Sequence, residues 1–334
     1  MGANTLGNNF CLTTFGESHG IAIGGVIDGC PSGLLIDFEK INEELKKRKP
    51  GTDSVTSDRK ESDNVIFLSG IYEGKTLGTP IAFLFKNEDV RSSDYDIVRN
   101  VYRPSHADFT YQQKYGIRDH RGGGRSSART MLPYIVAGCI AKQILKKNKI
   151  EIKSFVTQIG KEKSDSFSYE EIQSVLQKVK QSKDTVGAMV RVEIENIPAG
   201  IGDPQFRKLQ SVLAQAMFSI NAVKGFEYGE GFNVASMYGS ECNDIFIVDD
   251  GKIRCKTNHS GGIQGGISNG EKIYFNLAFK PIPTIMRSQQ TVDIEGNEIT
   301  YDIDGRHDVC AIPRAIPIVE AMTAMVIVDL MKLK

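Results

Sequence analysis

The chain has 334 residues, with 41 Lys plus Arg against 41 Asp plus Glu, so its formal net charge is zero. That length can bury a large core, and neutrality argues against a non-specific nucleic-acid binder. The six cysteines (Cys11, Cys30, Cys139, Cys242, Cys255 and Cys310) are scattered, with no C-x-x-C pair and no zinc-like spacing with histidine, so reduced thiols and no metal are expected.

Met1 to Leu6 carries no basic-then-apolar leader, Leu6 stands where myristoylation needs Ser or Thr, and no apolar run reaches membrane length. A cytoplasmic protein without a membrane partner is the expectation.

In chain order, Phe10–Phe15 and Ile21–Asp28 read as strands. Phe38, Ile41 and Leu45 then recur at helical spacing behind Asp37 as a cap, and Pro50 ends that helix. Val65–Ser69 and Ile81–Lys86 are further strands. Ser105 is placed to cap a helix just after Pro104, and another helix follows Ser127, with Pro133 tolerable in its first turn. Ile152–Ile159 and Ala188–Glu195 read as strands. Between them Ser168 and Glu171 form a capping box ahead of Ile172, Val175, Leu176 and Val179. Asp203-Pro204 opens a helix with Phe206, Leu209, Val212, Leu213, Ala216, Met217 and Ile220 on its apolar side. Ile245–Val248 and Ile273–Phe279 are the last strands, and a final helix follows Pro317 through Ile318, Met322, Met325 and Val326 to Leu330.

Strands and helices do not alternate strictly, and neither G-x-G-x-x-G nor a Walker A motif occurs, which disfavours a doubly wound nucleotide-binding fold. The expected class is α+β, antiparallel sheets with helices packed on one side. Two echoes suggest duplicated halves. Cys30-Pro31-Ser32-Gly33 resembles Ile197-Pro198-Ala199-Gly200, and Asp119-His120-Arg121-Gly122-Gly123 resembles Asn258-His259-Ser260-Gly261-Gly262. Chance similarity of glycine turns accounts for them equally well.

Asp119 to Arg129 is the most informative stretch. Three glycines let the backbone approach a ligand, Ser126 and Ser127 stand at a helix start, and Arg121, Arg125 and Arg129 offer guanidinium forks to phosphate or carboxylate. Arg99, Arg103 and Arg118 add to this surplus, which otherwise reads as a solvated basic face. His19 lies on a loop between two strands, where Glu17 and Ser18 can orient it. His106 lies at a helix start, where the dipole would favour a neutral ring. No nucleophile elbow is present. These residues describe an anion-binding pocket with several proton carriers.

Gly16-Glu17-Ser18-His19-Gly20, Arg103–Asp108 with Tyr115–Asp119 and Gly122–Arg129, Ser219–Gly225, Asn258–Gly266 and Gly305-Arg306-His307-Asp308 together resemble the chorismate synthase family, in order and spacing over essentially the whole chain. The resemblance implies a single domain over 1–334 with a β-α-β sandwich and an internal pseudo-twofold repeat. It implies a phosphate-eliminating lyase of the shikimate pathway that forms chorismate from 5-enolpyruvylshikimate 3-phosphate by 1,4-anti elimination. Reduced FMN (FMNH2) would serve without net redox change, in a homotetramer supplied by an external flavin reductase. By the same resemblance His19 protonates or stabilises the departing phosphate, His106 serves the reduced cofactor, Asp308 is the acid near flavin N5, where the C6 proton goes, and Ser18 and Ser127 link these groups. FMN would be held by Arg125, Ser126, Ser127, Asn221, Ala222, Gly265, Lys280, Pro281, Ile282, Pro283, Thr284 and Arg306, and substrate by Arg48, Arg129 and Arg306. Three places depart from the family pattern. Thr52-Asp53-Ser54 stands where a second arginine often follows Arg48, removing one pyridine-nucleotide (NADP) or substrate contact. Pro281 to Thr284 is poorer in hydroxyls than usual, and the surroundings of Cys310 and Pro313 differ. An NAD(P)H–flavin oxidoreductase would need a nucleotide fingerprint, and a flavin-sensing module would need no paired proton carriers.

Overall fold

A computed structural model describes residues 2–49, 62–88, 98–302 and 308–331. The first half runs β1 (Thr5–Leu6), β2 (Cys11–Gly16), β3 (Ala22–Asp28), α1 (Phe38–Arg48), β4 (Ile66–Phe67), the hairpin β5 (Ile71–Tyr72) and β6 (Lys75–Thr76), and β7 (Ile81–Lys86). A short β8 (Val101–Tyr102) and α2 (Asp108–Tyr115) lead to the long helix α3 (Leu132–Lys147). The second half begins with β9 (Glu151–Ile159), β10 (Glu162–Lys163), α4 (Tyr169–Gln181), β11 (Ala188–Glu195), α5 (Leu209–Phe218) and β12 (Val223–Tyr228). After α6 (Gly239–Cys242) come three hairpins or strand pairs, β13 (Phe246–Asp249) with β14 (Lys252–Cys255), β15 (Ile263–Gln264) with β16 (Ile267–Ser268), and, following β17 (Ile273–Phe279), β18 (Gln289–Asp293) with β19 (Glu298–Tyr301). Helix α7 (Ile312–Leu330) closes the chain.

Two five-stranded antiparallel sheets, ordered β1-β2-β3-β7-β4 and β10-β9-β11-β17-β12, enclose the helices. The strands alternate as half-buried strands should. In β17, Ile273, Phe275, Leu277 and Phe279 point to the core, and in β11 so do Ala188, Val190, Val192 and Ile194. Helices α3 and α7 fill the space between the sheets and are buried over most of their length, as helices apolar on nearly every face must be. An added Cβ on Gly138 of α3 would lie 2.2 Å from Ala321 Cβ of α7, so only glycine permits this crossing. Among the described residues no helix is long and apolar enough to cross a membrane.

Both sheets follow one course. Apart from β1 and β10, each places its first, second, fourth and third strands side by side, with a helix after the second strand and a short hairpin before the fourth. The Pro31 and Pro198 turns occupy equivalent places in it. Thr76 Oγ1 donates to Pro31 O at 2.6 Å and accepts from Leu34 N, while Ser268 Oγ donates to Pro198 O at 2.6 Å and accepts from Ile201 N. The hairpin turns also match, with positive φ at Glu73 and Gly74 and again at Gly265 and Gly266, the signature of a tight primed turn. The histidine–glycine echo does not share this pattern. Residues 119–123 come after the fourth strand of their half, residues 258–262 before it.

Most expected elements are present, including the Asp37 cap on Lys40 N and the Ser168–Glu171 capping box. Four differ. The strand expected over Val65–Ser69 is only two residues long, since Leu68 N and Ser69 Oγ bond the neighbouring strand from a bend. Helix α5 starts at Leu209, not Asp203, because Leu209 N donates to Gly266 O and Phe206 lies 96% exposed outside the core. Helix α7 starts at Ile312, so Pro317 lies within it. The missing N–H and the ring cost one helical bond there, and burial on both sides outweighs that cost. Ser105 does not cap α2, as its own φ is +59° and the helix begins three residues later behind Ala107.

Gly138→Ala tests the crossing. Alanine is the better helix former by about 1 kcal/mol, yet overpacking should destabilise the protein by roughly 1–3 kcal/mol. A lowered denaturant midpoint checks this, and a raised one would contradict it.

Candidate active site

The glycine run supplies one wall. Gly124–Ser126 and Ala128–Met131 are single 3-10 turns, the second capped by Ser127 Oγ, which accepts from Arg129 N at 3.3 Å before α3 begins. Pro133 falls in the first turn of α3, where its absent N–H is tolerated. The run lies directly on the histidine loop. A Cβ on Gly122 would lie 2.1 Å from His19 Nδ1, and one on Gly124, at φ +53°, would lie 2.7 Å from Glu17 Oε2. Buried Ser18 hydrogen-bonds the His19 imidazole, Oγ to Nδ1 at 3.1 Å.

The three arginines of the run do not converge on one anion. Arg121 pairs with Asp119 in solvent. The Arg125 guanidinium donates to Gly16 O, Asn4 Oδ1 and Thr14 Oγ1, so it straps the end of β2. Only Arg129 turns inward, and its nitrogens are held by Asn87 Oδ1 (2.7 Å), Asp63 Oδ1 (2.8 Å) and, more loosely, Lys86 O. The Asn87 amide nitrogen in turn donates to Glu17 O and Gly20 O, tying Arg129 to the His19 loop.

Arg48, at the last position of α1, is 1% exposed. It donates to Ala128 O at 3.0 Å and lies 3.7 Å from Asp63 Oδ2. Burial, with Arg314 next in weight, pushes its guanidinium down to about 9. Arg314, in the first turn of α7, donates to Arg48 O at 3.0 Å and to Asp308 Oδ2 at 2.5 Å. The structure thus brings buried Arg48 and Arg129 and half-buried Asp308 into one cluster. Gly305, Arg306 and His307 lie outside the described residues.

His106 forms a second focus. Its Nδ1 is 3.0 Å from Pro104 O, which can only accept, so Nδ1 carries the proton. Its Nε2 then accepts from Thr284 Oγ1 at 3.1 Å. Burial, reinforced by the Arg103 charge, pushes His106 down to about 4, which gives the expected neutral ring. Arg103 itself is held by Asp108 through paired 2.8 Å bonds, with Arg118 on the same carboxylate.

The 280–284 segment joins this focus. Lys280 Nζ donates to Ser105 O at 3.1 Å, Lys280 N donates to Ala222 O, and Ile282 O accepts from Thr185. Ala222 takes φ +70°, and the neighbouring Asn221 side chain donates to Ser126 O, which links the glycine run to this segment. Pro281 packs beside Gly187, with Pro283 next in the chain to Thr284. Gly265 stands apart at its hairpin tip with open space around it, and that hairpin packs on the residues before α5.

Asp63, Asn87 and Arg314 escaped the sequence reading, and Asp108 entered it only as the end of the Arg103–Asp108 motif, with no role. None falls on a periodic pattern, and the only signal was position, Asn87 at the end of a strand and Arg314 close after the third signature.

Fold and cluster together define an α+β protein with two buried guanidinium groups and, at a second focus, a neutral histidine. A sequence model of the chorismate synthase family matches residues 10–332. The chorismate synthase of Parabacteroides distasonis is 52% identical, covering 98% of this chain and 97% of its own. That of Azobacteroides pseudotrichonymphae is 53% identical and covers 98% of both. A solved structure, described as a crystal structure of chorismate synthase, aligns with TM-score 0.75 at 29% identity over 97% of this chain and 92% of its own. The chain belongs to the chorismate synthase family.

A nuclear magnetic resonance titration tests the histidine. With its ordinary value of 6.5 lowered to about 4, His106 should keep neutral-ring shifts throughout the physiological range and move only as pH approaches 4. Between those values the unfolded chain binds a proton that the folded chain does not. The stability conferred by the neutral ring is therefore full above 6.5 and falls as pH drops toward 4. A midpoint near 6.5 would contradict the assignment.

Proposed function

We propose that this chain acts as a chorismate synthase, eliminating inorganic phosphate from 5-enolpyruvylshikimate 3-phosphate. The C3–O and C6–H bonds break and the ring gains one double bond. The observation that carries the reading is the joining of Arg129, through Asn87, to the loop that bears His19. An anion anchor and a proton donor are thereby held as one unit, on a chain whose family membership spans nearly its full length.

Reduced FMN fits the residues present. Lys280 is pushed down by burial and by the like charge of Lys224, so an anionic group beside the pair would relieve a repulsion already there. Lys280 to Thr284, Asn221, Ala222, Ser126 and Ser127 would hold the cofactor. Arg125 would contribute its backbone, since its guanidinium is committed to Asn4, Thr14 and Gly16. When bound, reduced flavin supplies the transient electron density that a non-acidic C6–H elimination requires.

The chain does the remaining work. Arg48 and Arg129 would bind the phosphate and carboxylates, with Arg306 shared between substrate and cofactor. His19, steadied by Ser18, would donate a proton to the departing phosphate. Asp308, steadied by Arg314, would receive the C6 proton. His106 would offer its Nε2 lone pair to a cofactor N–H in place of the Thr284 hydroxyl. The same reading carries a cytoplasmic homotetramer with an external source of reduced FMN, intrinsic NADPH-dependent reduction being the other route.

Under anaerobic conditions with pre-reduced FMN, substrate should release stoichiometric phosphate, and its absence would sink the lyase reading. His106→Ala should lower kcat by about 10²-fold or more, in the range of a lost acid–base group, while FMN affinity changes far less. Loss of FMN binding in step with kcat would remove its proton role.

A further inference from the structure

Asp63 lies in none of the family-like motifs, and any part it plays in substrate binding rests on the lyase reading. It precedes β4, is 5% exposed, and takes φ +51°, a region that Asp, Asn and Gly enter more readily than other residues. One carboxylate here faces two buried guanidinium groups. Oδ1 accepts from Arg129 Nη1 at 2.8 Å, and Oδ2 lies 3.7 Å from Arg48 Nη1 without a hydrogen bond among the described residues.

Two arginines at 1% and 4% exposure repel one another across a low-dielectric interior. Arg314 adds a third positive charge, answered on its far side by Asp308. Asp63 is the only carboxylate among the described ion pairs that touches both Arg48 and Arg129. Fold stability alone does not call for it. Buried ion pairs add little stability relative to apolar packing, and this one occupies an irregular loop in a left-handed conformation. Such a carboxylate is better explained by what it does to the arginines.

We infer that Asp63 is a positioning residue, whose carboxylate holds Arg48 and Arg129 as one preformed clamp for an anionic group of the substrate. Without it the two guanidinium groups spread, and binding energy from the substrate must reassemble them. The effect belongs in substrate affinity and not in the cofactor site, because no described contact joins Asp63 to the residues around His106.

The test compares wild type, Asp63→Gly and Asp63→Asn. Glycine removes the side chain while accepting the positive φ, and asparagine keeps an oxygen acceptor for Arg129. With saturating reduced FMN, Asp63→Gly should raise KM for substrate by about tenfold or more, as loss of a charge-assisted contact predicts, leaving kcat and FMN affinity little changed. Asp63→Asn should restore most of the KM. Calorimetry with inorganic phosphate gives a readout independent of turnover and should show the same order of affinities. An unchanged KM in Asp63→Gly, a parallel loss of FMN affinity, or no recovery in Asp63→Asn would each overturn the inference. Absence of turnover in the wild type, with phosphate binding still dependent on Asp63, would overturn the lyase reading alone.

Discussion

A guanidinium cannot shed its charge, so burying one obliges the surrounding chain to supply acceptors for it. Arg129 meets that demand with three acceptors. Its partners are Asn87 at the end of β7, Asp63 in the loop before β4 and the Lys86 carbonyl, elements far apart in sequence that must meet around one side chain. Through Asn87 the constraint reaches residues 17 to 20, and so the placement of His19 depends on it. The site is less a pocket lined by reactive groups than a set of loops tied to one buried cation.

The sandwich delivers these loops to one end. Close approach of α3 and α7 at Gly138 and Ala321 fixes the helices relative to one another, and each helix carries part of the site at its N-terminus. The glycine run and Ala128 precede α3, while Asp308 precedes α7 and Arg314 sits in its first turn. Arg48 closes the arrangement, donating to Ala128 O while its own carbonyl accepts from Arg314. Core packing and site geometry are consequently one problem, and a shift of α3 against α7 would be felt at Arg48 and Arg129 as well as at Asp308. The two sheets share their course down to the Thr76 and Ser268 hydroxyl turns, and each half supplies one such helix.

Reading from sequence succeeded where a pattern is local. Apolar strand-like runs placed β7, β11 and β17 to the residue, and the Ser168–Glu171 box placed α4. It failed where tertiary contact overrides a local signal. Pro317 looked like a helix start, yet α7 runs through it because both flanks are buried, and Asp203-Pro204 looked like a helix start although its backbone serves a neighbouring hairpin. The same division holds in the site. His19, His106 and the glycine run stand in compact motifs and were visible as chemistry, whereas Asp63 and Asn87 act on Arg129 from 66 and 42 residues away. Arg125 shows the converse. An arginine in a glycine run suggests an anion ligand, but its guanidinium is spent on Thr14, Asn4 and a carbonyl.

A crystal structure with substrate and reduced FMN bound addresses the preformed clamp most directly. A phosphate or carboxylate of the substrate should lie within hydrogen-bonding reach of both Arg48 and Arg129, with Arg129 still bonded to Asp63 and Asn87. Substrate seated elsewhere, or Arg129 swung away from Asp63 to meet it, would contradict a clamp assembled before the substrate arrives.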